Sequence, residues 1–304
     1  MSLDADAILD RRRLKRNLIV WRGVAVVAVI GAVFLGFWRG DRLIARDHVV
    51  RLAVEGLIVD DAERLEALNR IAKDERAKAL IVRIDSPGGT TVGGEALYHG
   101  LRRVADKKPV VATIRTLGTS AGYLAALAGH RIIARESSLT GSIGVLVQTA
   151  EMSGMLEKLG VSAEVIRSAP LKGKPSPLAP LSEEGRQATQ EVVDDVHQWF
   201  VGIVAERRKL APEQAQALAQ GRVYSGRQAL KLGLIDELGG EIEARAWLRK
   251  AHKLSTSLPV RPVELSDEGL GLFRLITGLA EKMSLSERLT LDGLVSVWHP
   301  EGLF

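Results

Sequence analysis

The chain contains no cysteine, which excludes disulfide staples and thiolate zinc sites. That absence fits an oxidising compartment without requiring one. Aromatic residues are scarce too, at 4% of 304 residues. Nucleic-acid recognition calls for a basic face interleaved with aromatics, so that class is set aside. The net charge is only +5, and much of the excess lies in Arg11, Arg12, Arg13, Lys15 and Arg16. It therefore says little about the folded body. Histidines number six: His48, His99, His130, His197, His252 and His299. None stands at a recognisable offset from an acid partner, so surface or packing roles suit them better than a histidine-based triad.

What is present begins with one long hydrophobic run. Residues 1–17 are polar and basic and read as a disordered tail. Residues 18–38 are apolar, interrupted only by Arg22. That length spans a bilayer, Arg22 can reach the headgroups near one end, and Trp21, Phe37 and Trp38 suit the interfaces. The positive cluster ahead of the run places the N-terminus in the cytoplasm and the rest beyond the membrane. A cleaved signal peptide would have a shorter apolar core and a small-residue cleavage site. The segment is read as an uncleaved signal anchor.

From His48 onward the pattern alternates. Val49–Val54, Ala79–Ile84, Val110–Arg115, His130–Ala134, Thr140–Val145 and Ser162–Ile166 read as strands or turn-and-strand pieces. Helices are predicted over 62–74, 94–104 and from Ser182 to about Lys209, with shorter ones from Pro212 and Tyr224. Short connections between strands and helices imply a parallel sheet wrapped by helices. Lys172 to Pro177 reads as an irregular loop. Beyond Leu254, apolar spacing at Leu270, Leu272, Leu275 and Leu279 predicts an amphipathic helix that packs on the body, a partner or the membrane.

Two stretches carry chemistry. Gly118-Thr119-Ser120-Ala121-Gly122-Tyr123 follows the buried strand Val110–Arg115 and precedes a helix. A serine at such a turn holds its hydroxyl out toward a substrate carbonyl, and nearby backbone N–H groups favour a developing anion. The bland alternative is a tight packing turn. Asp85-Ser86-Pro87-Gly88-Gly89 closes the strand before it, and its paired glycines let bare amides approach a ligand. With no histidine in a suitable pattern, the remaining base for a serine is a lysine kept neutral by burial. Lys172 and Lys174 sit in a loop that could supply it, although most loop lysines are simply solvated.

Taken in order, the 85–89 and 119–123 stretches, Leu139-Thr140-Gly141-Ser142-Ile143-Gly144, and Gly221 to Gly226 with Ala229 and Gly233-Leu234-Ile235-Asp236 resemble the bacterial signal peptide peptidase A (protease IV) family. The likeness covers roughly residues 48–250 and includes the single N-terminal anchor. It implies an α/β, Clp-protease/crotonase-like repeated β-β-α superhelix with a helical C-terminal part, preceded by one transmembrane helix. The domains are then a cytoplasmic tail (1–17), an anchor (18–38), a Ser–Lys protease domain (46–253) and a helical extension (254–304).

The resemblance carries the nucleophile to Ser120, the base to Lys172 and a lysine-orienting role to Ser142. Its oxyanion hole falls to the amide of Ala121 with one from Gly88 or Gly89. Two departures stand out: Ala121-Gly122 replaces two glycines, and Arg167-Ser168-Ala169 replaces Lys-Ser-Gly. The second leaves Lys174 as a competitor for the base. No metal or cofactor is required. The implied activity is endopeptidase hydrolysis of remnant signal peptides and other hydrophobic peptides. The implied setting is the bacterial inner membrane, with the catalytic domain outside the cytoplasm. The implied assembly is a homo-oligomeric ring whose sites are shared between protomers. Three alternatives stay open: a related membrane Ser–Lys protease with one membrane-protein substrate, a crotonase-type acyl-CoA enzyme, and a non-catalytic scaffold.

Overall fold

The computed structural model describes residues 21–31, 47–263 and 295–297. The chain divides into two compact units, residues 1–47 and 48–304. In the first unit, residues 21–31 form a helix, α1, with exposed apolar side chains such as Trp21, Val27 and Ile30. Among the described residues no helix is long and apolar enough to cross a membrane. The rest of the predicted anchor, the basic tail and the predicted amphipathic helix at 270–279 lie outside the described residues.

The second unit is built on one mixed sheet. In chain order its strands are β1 (His48–Ile58), β2 (Ala77–Thr90), β3 (Val110–Thr119), β4 (Arg131–Ala134), β5 (Leu139–Gly141), β6 (Val223–Ser225), β7 (Glu237–Leu238), β8 (Val260–Pro262) and β9 (Val295–Val297). Its main path runs β6-β5-β3-β2-β1-β8, with β4 also on β3, β7 on β4, and β9 on β2. Pairing is parallel except at β5–β6 and β2–β9. β8 and β9 fall in the expected helical extension, yet both are strands of this sheet.

Strand alternation builds a core on each face. Leu80, Val82 and Ile84 enter a large cluster with Leu68, Leu101, Leu127, Phe200 and Val204. The helices behind that cluster are α2 (Ala62–Lys73), α3 (Thr91–Ala105), α4 (Ala121–Leu127) and α6 (Glu183–Arg208), joined by the short α7 (Pro212–Leu218) and α8 (Gly226–Lys231). On the other face Ala79 and Ile81 meet Ala244 and Leu248 of α9 (Glu241–His252). Each fully buried aliphatic side chain of this kind contributes about 2 kcal/mol of hydrophobic stabilisation. The helices start where side chains cap them: Asp61, Thr90, Ser182 and Ser225 each accept a backbone N–H of the first turn.

Three sequence expectations change. β2 does not stop at Ile84; it runs through Ser86-Pro87-Gly88-Gly89 to Thr90, so the paired glycines are strand rather than turn. A local irregularity in the β1–β2 register, between Glu55 and Leu57, absorbs the extra residue and keeps the strands paired to Ile58↔Gly89. Ser162–Ile166 is not a strand but an exposed, irregular segment. A strand needs a neighbour for its backbone groups, and no described strand of the chain lies beside it. A one-and-a-half-turn helix, α5 (Ser153–Lys158), stands in the same segment, where the sequence pattern predicts none.

Candidate active site

β3 ends at Thr119 and α4 begins at Ala121, so Ser120 carries the whole change of direction. Its backbone sits at φ 57° and ψ −120°, a region that side chains other than glycine rarely occupy. Such a conformation costs on the order of 1–3 kcal/mol and persists only when the surroundings enforce it. Here they do. The Ser120 amide donates to Gly141 O at 2.8 Å, and the Ser120 carbonyl accepts Leu124 N–H at 2.9 Å. Tyr123, fully buried, donates its hydroxyl to Leu234 O at 2.7 Å and fixes α4 in depth. Burial pushes its phenol pKa up, so it remains a donor.

Beside this turn runs the last part of β2. Ser86 is fully buried; its hydroxyl donates to Gly56 O at 2.6 Å and accepts the Gly88 N–H at 3.1 Å. The Thr119 hydroxyl donates to Pro87 O at 3.0 Å, and Asp85 accepts Leu117 N–H at 3.1 Å. These bonds lock the glycine pair against the end of β3. Gly88 has φ 120°, and a Cβ on Gly89 would lie 1.8 Å from Ile58 O, so neither position tolerates a side chain.

The Thr-Gly-Ser stretch completes the cluster. β5 pairs with β3 from Leu117↔Leu139 to Thr119↔Gly141, and Thr140 donates to Gly118 O at 2.7 Å. Ser142 follows at φ 49°, is buried, and its amide donates to Arg222 O at 2.8 Å. The fold thus gathers Ser120, Ala121, Ser142, Gly88 and Gly89 at one end of the sheet. An apolar hollow opens beside Ala121, walled by Leu124, Val145, Val196, Trp199 and Phe200. A wider hollow in the 153–178 segment, lined by Leu156, Val161 and Leu178, holds none of the candidate catalytic residues.

Lys172 is different. It lies in an exposed turn whose amide bonds to Ala169 O, within a segment that leaves the body after Ile143. Lys174 is half-buried and its ammonium approaches Pro180 O at 3.4 Å. Exposed apolar side chains cover this segment: Leu146, Met152, Met155, Leu159, Val165 and Ile166, the last 92% exposed. Among the described residues no group of three or more His, Asp and Glu side chains could hold a metal ion.

Sequence reading alone passes over three residues that shape the site: Ser86, Thr119 and Thr140. Ser86 bonds the Gly56 carbonyl of β1 and accepts the Gly88 N–H, Thr119 bonds Pro87 O, and Thr140 bonds Gly118 O. The sequence does hint at them, since each small hydroxyl immediately precedes a Pro-Gly, a Ser or a Gly within the singled-out motifs. Buried hydroxyls in such turns normally tie down backbone.

Known proteins are similar to this chain. The Peptidase family S49 model matches residues 102–255, which include Ser120, Ser142 and Lys172. A Synechocystis sp. protein named "Putative protease" is 36% identical over 80% of this chain and 90% of its own length. The "Putative signal peptide peptidase SppA" of Enterococcus faecium is 31% identical over 84% of this chain and 77% of its own. Protease 4 of Salmonella typhi is 34% identical over 60% of this chain, which matches 29% of that longer protein. With a serine held at a strand-to-helix turn, and a family match that spans half the sequence around it, this chain belongs to peptidase family S49, in the short single-domain form of the signal peptide peptidases, and is a serine-type peptidase.

Proposed function

We propose that the protein is a membrane-anchored serine endopeptidase that uses Ser120 and Lys172 to hydrolyse signal-peptide remnants and other hydrophobic peptides. The observation that carries this reading is the enforced positive φ of Ser120 at the β3–α4 turn. Strain of that kind is kept where it positions a reacting group.

In the proposed mechanism neutral Lys172 takes the Ser120 hydroxyl proton as the oxygen attacks a peptide carbonyl. It then delivers the proton to the leaving amine, and water hydrolyses the acyl-enzyme by the same route. Ser142 orients the lysine amine. The tetrahedral oxyanion rests on the Ala121 amide and one glycine amide of β2. The Gly88 N–H donates to Ser86 in the single chain and Gly89 lies between partners on β1 and β9, so the second donor is assigned to the glycine pair rather than to one member. Removal of one such donor typically costs about 3 kcal/mol of barrier.

A lysine base needs a place shielded from water, yet Lys172 is exposed in the single chain. The apolar side chains exposed along 146–178 suggest what supplies that place. Apolar surface of this extent marks an interaction face, and a neighbouring copy packed on it would enclose Lys172 and bring it to a Ser120. This supports a ring with sites shared between protomers. The apolar run 18–38 would hold that ring at the membrane, N-terminus in the cytoplasm, and the sheet would take the repeated Clp-protease-like form.

The test is hydrolysis of a fluorogenic peptide, with the sequence pattern of a signal-peptide core, by the full chain in mild detergent. Ser120→Ala and Lys172→Ala should abolish turnover while Lys174→Ala retains it. Activity that survives Lys172→Ala and disappears with Lys174→Ala would move the base to the second lysine of the loop. An assembled parent that cleaves no such peptide would favour a single dedicated membrane-protein substrate or a scaffold.

A further inference from the structure

The parallel strands β1, β2, β3 and β8 all start at one end of the sheet, through the pairs His48↔Ala77, Leu80↔Val110 and Val49↔Val260. Ser120 follows the opposite end of β3. The connections that arrive at the starting end are strongly basic. Residues 70–78 hold four basic and two acidic side chains, residues 102–110 four and one, and residues 249–260 three and none. Their net charge is +8, whereas the whole chain carries only +5.

Part of this excess answers helix dipoles, since α2, α3 and α9 end there with basic last turns. Lys78, Lys107 and Lys108 lie beyond those helices. With Lys73 they line a hollow of about 350 Å³ whose one lining acid is Glu75. Lys108 is held inward, donating to Ile71 O and Asp74 O at 2.7 Å each. Burial, with Lys107 and Lys78 nearby, keeps its pKa below the ordinary lysine value against the opposing pull of Asp74. The other acids of these connections are engaged: Asp106 meets Arg102 at 2.7 Å, and Asp74 meets His48 at 3.8 Å. Crowded cations around a hollow favour an anion.

The chain enters the sheet at this same end. The apolar run ends at Trp38 and β1 begins at His48, with nine residues between them. Fully extended, that link reaches at most about 35 Å. With residues 18–38 in a bilayer, the start of β1 cannot stand farther than that from the headgroups, whose phosphodiesters are the nearest plentiful anions.

We propose that the strand-start end of the sheet docks on anionic phospholipid, with the hollow between Lys73, Lys78, Lys107 and Lys108 taking a headgroup phosphate. This rests on the membrane anchor proposed above and adds to that tether a contact that restricts rotation of the body.

The experiment places the full chain, by detergent removal, in vesicles of phosphatidylcholine alone or with phosphatidylglycerol. Acetylation of individual lysines by a water-soluble reagent is then followed by mass spectrometry. Phosphatidylglycerol should slow labelling of Lys73, Lys107 and Lys250 about fivefold, the factor expected for a basic residue at an anionic surface. High salt should reverse the slowing, and Lys158 of α5 should show none. The double variant Lys73→Gln/Lys107→Gln changes two exposed residues. Its thermal midpoint should match the parent's, while protection of Lys78 and Lys250 falls. Equal labelling in the two lipids overturns the docking, as does slowing that includes Lys158 to the same degree. Equal slowing by inorganic phosphate in phosphatidylcholine vesicles would assign the hollow to a free anion and overturn the headgroup. Flotation tests the anchor separately. A chain that fails to float with phosphatidylcholine lacks a working anchor; if it still floats with phosphatidylglycerol at low salt with Lys73 protected, the docking stands alone. Flotation with neither lipid sinks both.

Discussion

The amide of Ser120 donates to the carbonyl of Gly141 at 2.8 Å, tying the β3–α4 turn to the residue that precedes Ser142. The two serines, 22 positions apart in the chain, both have positive φ, 57° and 49°. Each conformation is held by a backbone bond to a different strand end, Ser120 to Gly141 and Ser142 to Arg222. Neither turn is stable by itself; the sheet enforces both.

A stability measurement should expose that strain. Ser120→Ala and Ser120→Gly both remove the hydroxyl and should both abolish hydrolysis. Alanine must still adopt φ 57°, whereas glycine does so without steric cost, although it loses more entropy on folding. The glycine variant is expected to be more stable than the alanine variant by about 1 kcal/mol in urea unfolding. Equal stability would mean the turn is relaxed and its conformation carries no functional meaning.

How much of this is legible in the sequence depends on the kind of information each feature needs. The β-branched runs before Ser120 and Gly88, and the helix start at Ser182, are local signals, and the structure follows them. The extension of β2 through Ser-Pro-Gly-Gly is not legible. It depends on the register irregularity at Glu55/Leu57 and on Ser86 bonding Gly56 across to β1, a non-local arrangement. Ser162–Ile166 has strand composition but no strand neighbour among the described residues, so propensity alone misleads there. β9 is out of reach for the same reason: its place is set by the edge that β3 vacates, far away in sequence.

The buried end of α6 offers a second test. Arg208 makes two bonds to Asp236, at 2.8 and 3.1 Å, and donates to Gly233 O at 2.7 Å. Asp236 in turn accepts the Ile132 N–H at 2.7 Å, joining α6 to β4 just behind α4. The Asp236 hydrogen bond raises the Arg208 pKa against the opposing effect of burial. Asp236→Ala leaves this guanidinium without its carboxylate and is expected to cost about 3 kcal/mol. The double variant Arg208→Ala/Asp236→Ala should cost less than the sum of the single changes. Strict additivity in that double-mutant cycle would show that the pair does not act as a unit.

Stability should also carry a histidine signature. His130 Nδ1 accepts the Val110 N–H at 3.1 Å, which requires an unprotonated nitrogen. Partial burial of the ring, with Arg102 and Arg207 nearby, holds its pKa below the usual histidine value. As the pH falls through about 6.5, the unfolded chain takes up a proton before the folded one. The stability associated with neutral His130 is therefore complete above that pH and is lost progressively down to the folded-state pKa. His130→Asn supplies an acceptor that does not titrate. It should flatten the fall in thermal midpoint between about pH 7 and pH 5, and an unchanged slope would assign the acid sensitivity elsewhere.

The proposed sharing of the site between copies makes the sharpest prediction. Ser120→Ala lacks the proposed nucleophile and Lys172→Ala the proposed base, so each variant alone should be inactive. If Lys172 serves the serine of a neighbouring copy, a mixed ring contains some interfaces where an intact Ser120 meets an intact Lys172. Random assembly of an equal mixture gives such an interface about one time in four, so about a quarter of parent activity should return after subunits exchange. A site built within one chain offers no such combination, because every chain in the mixture is defective. Activity should therefore be followed while the two variants are dissociated, mixed and reassembled. Recovery near a quarter would make the exposed position of Lys172 in the single chain a consequence of assembly. No recovery, with rings re-formed, would require the loop carrying Lys172 to fold back onto its own Ser120.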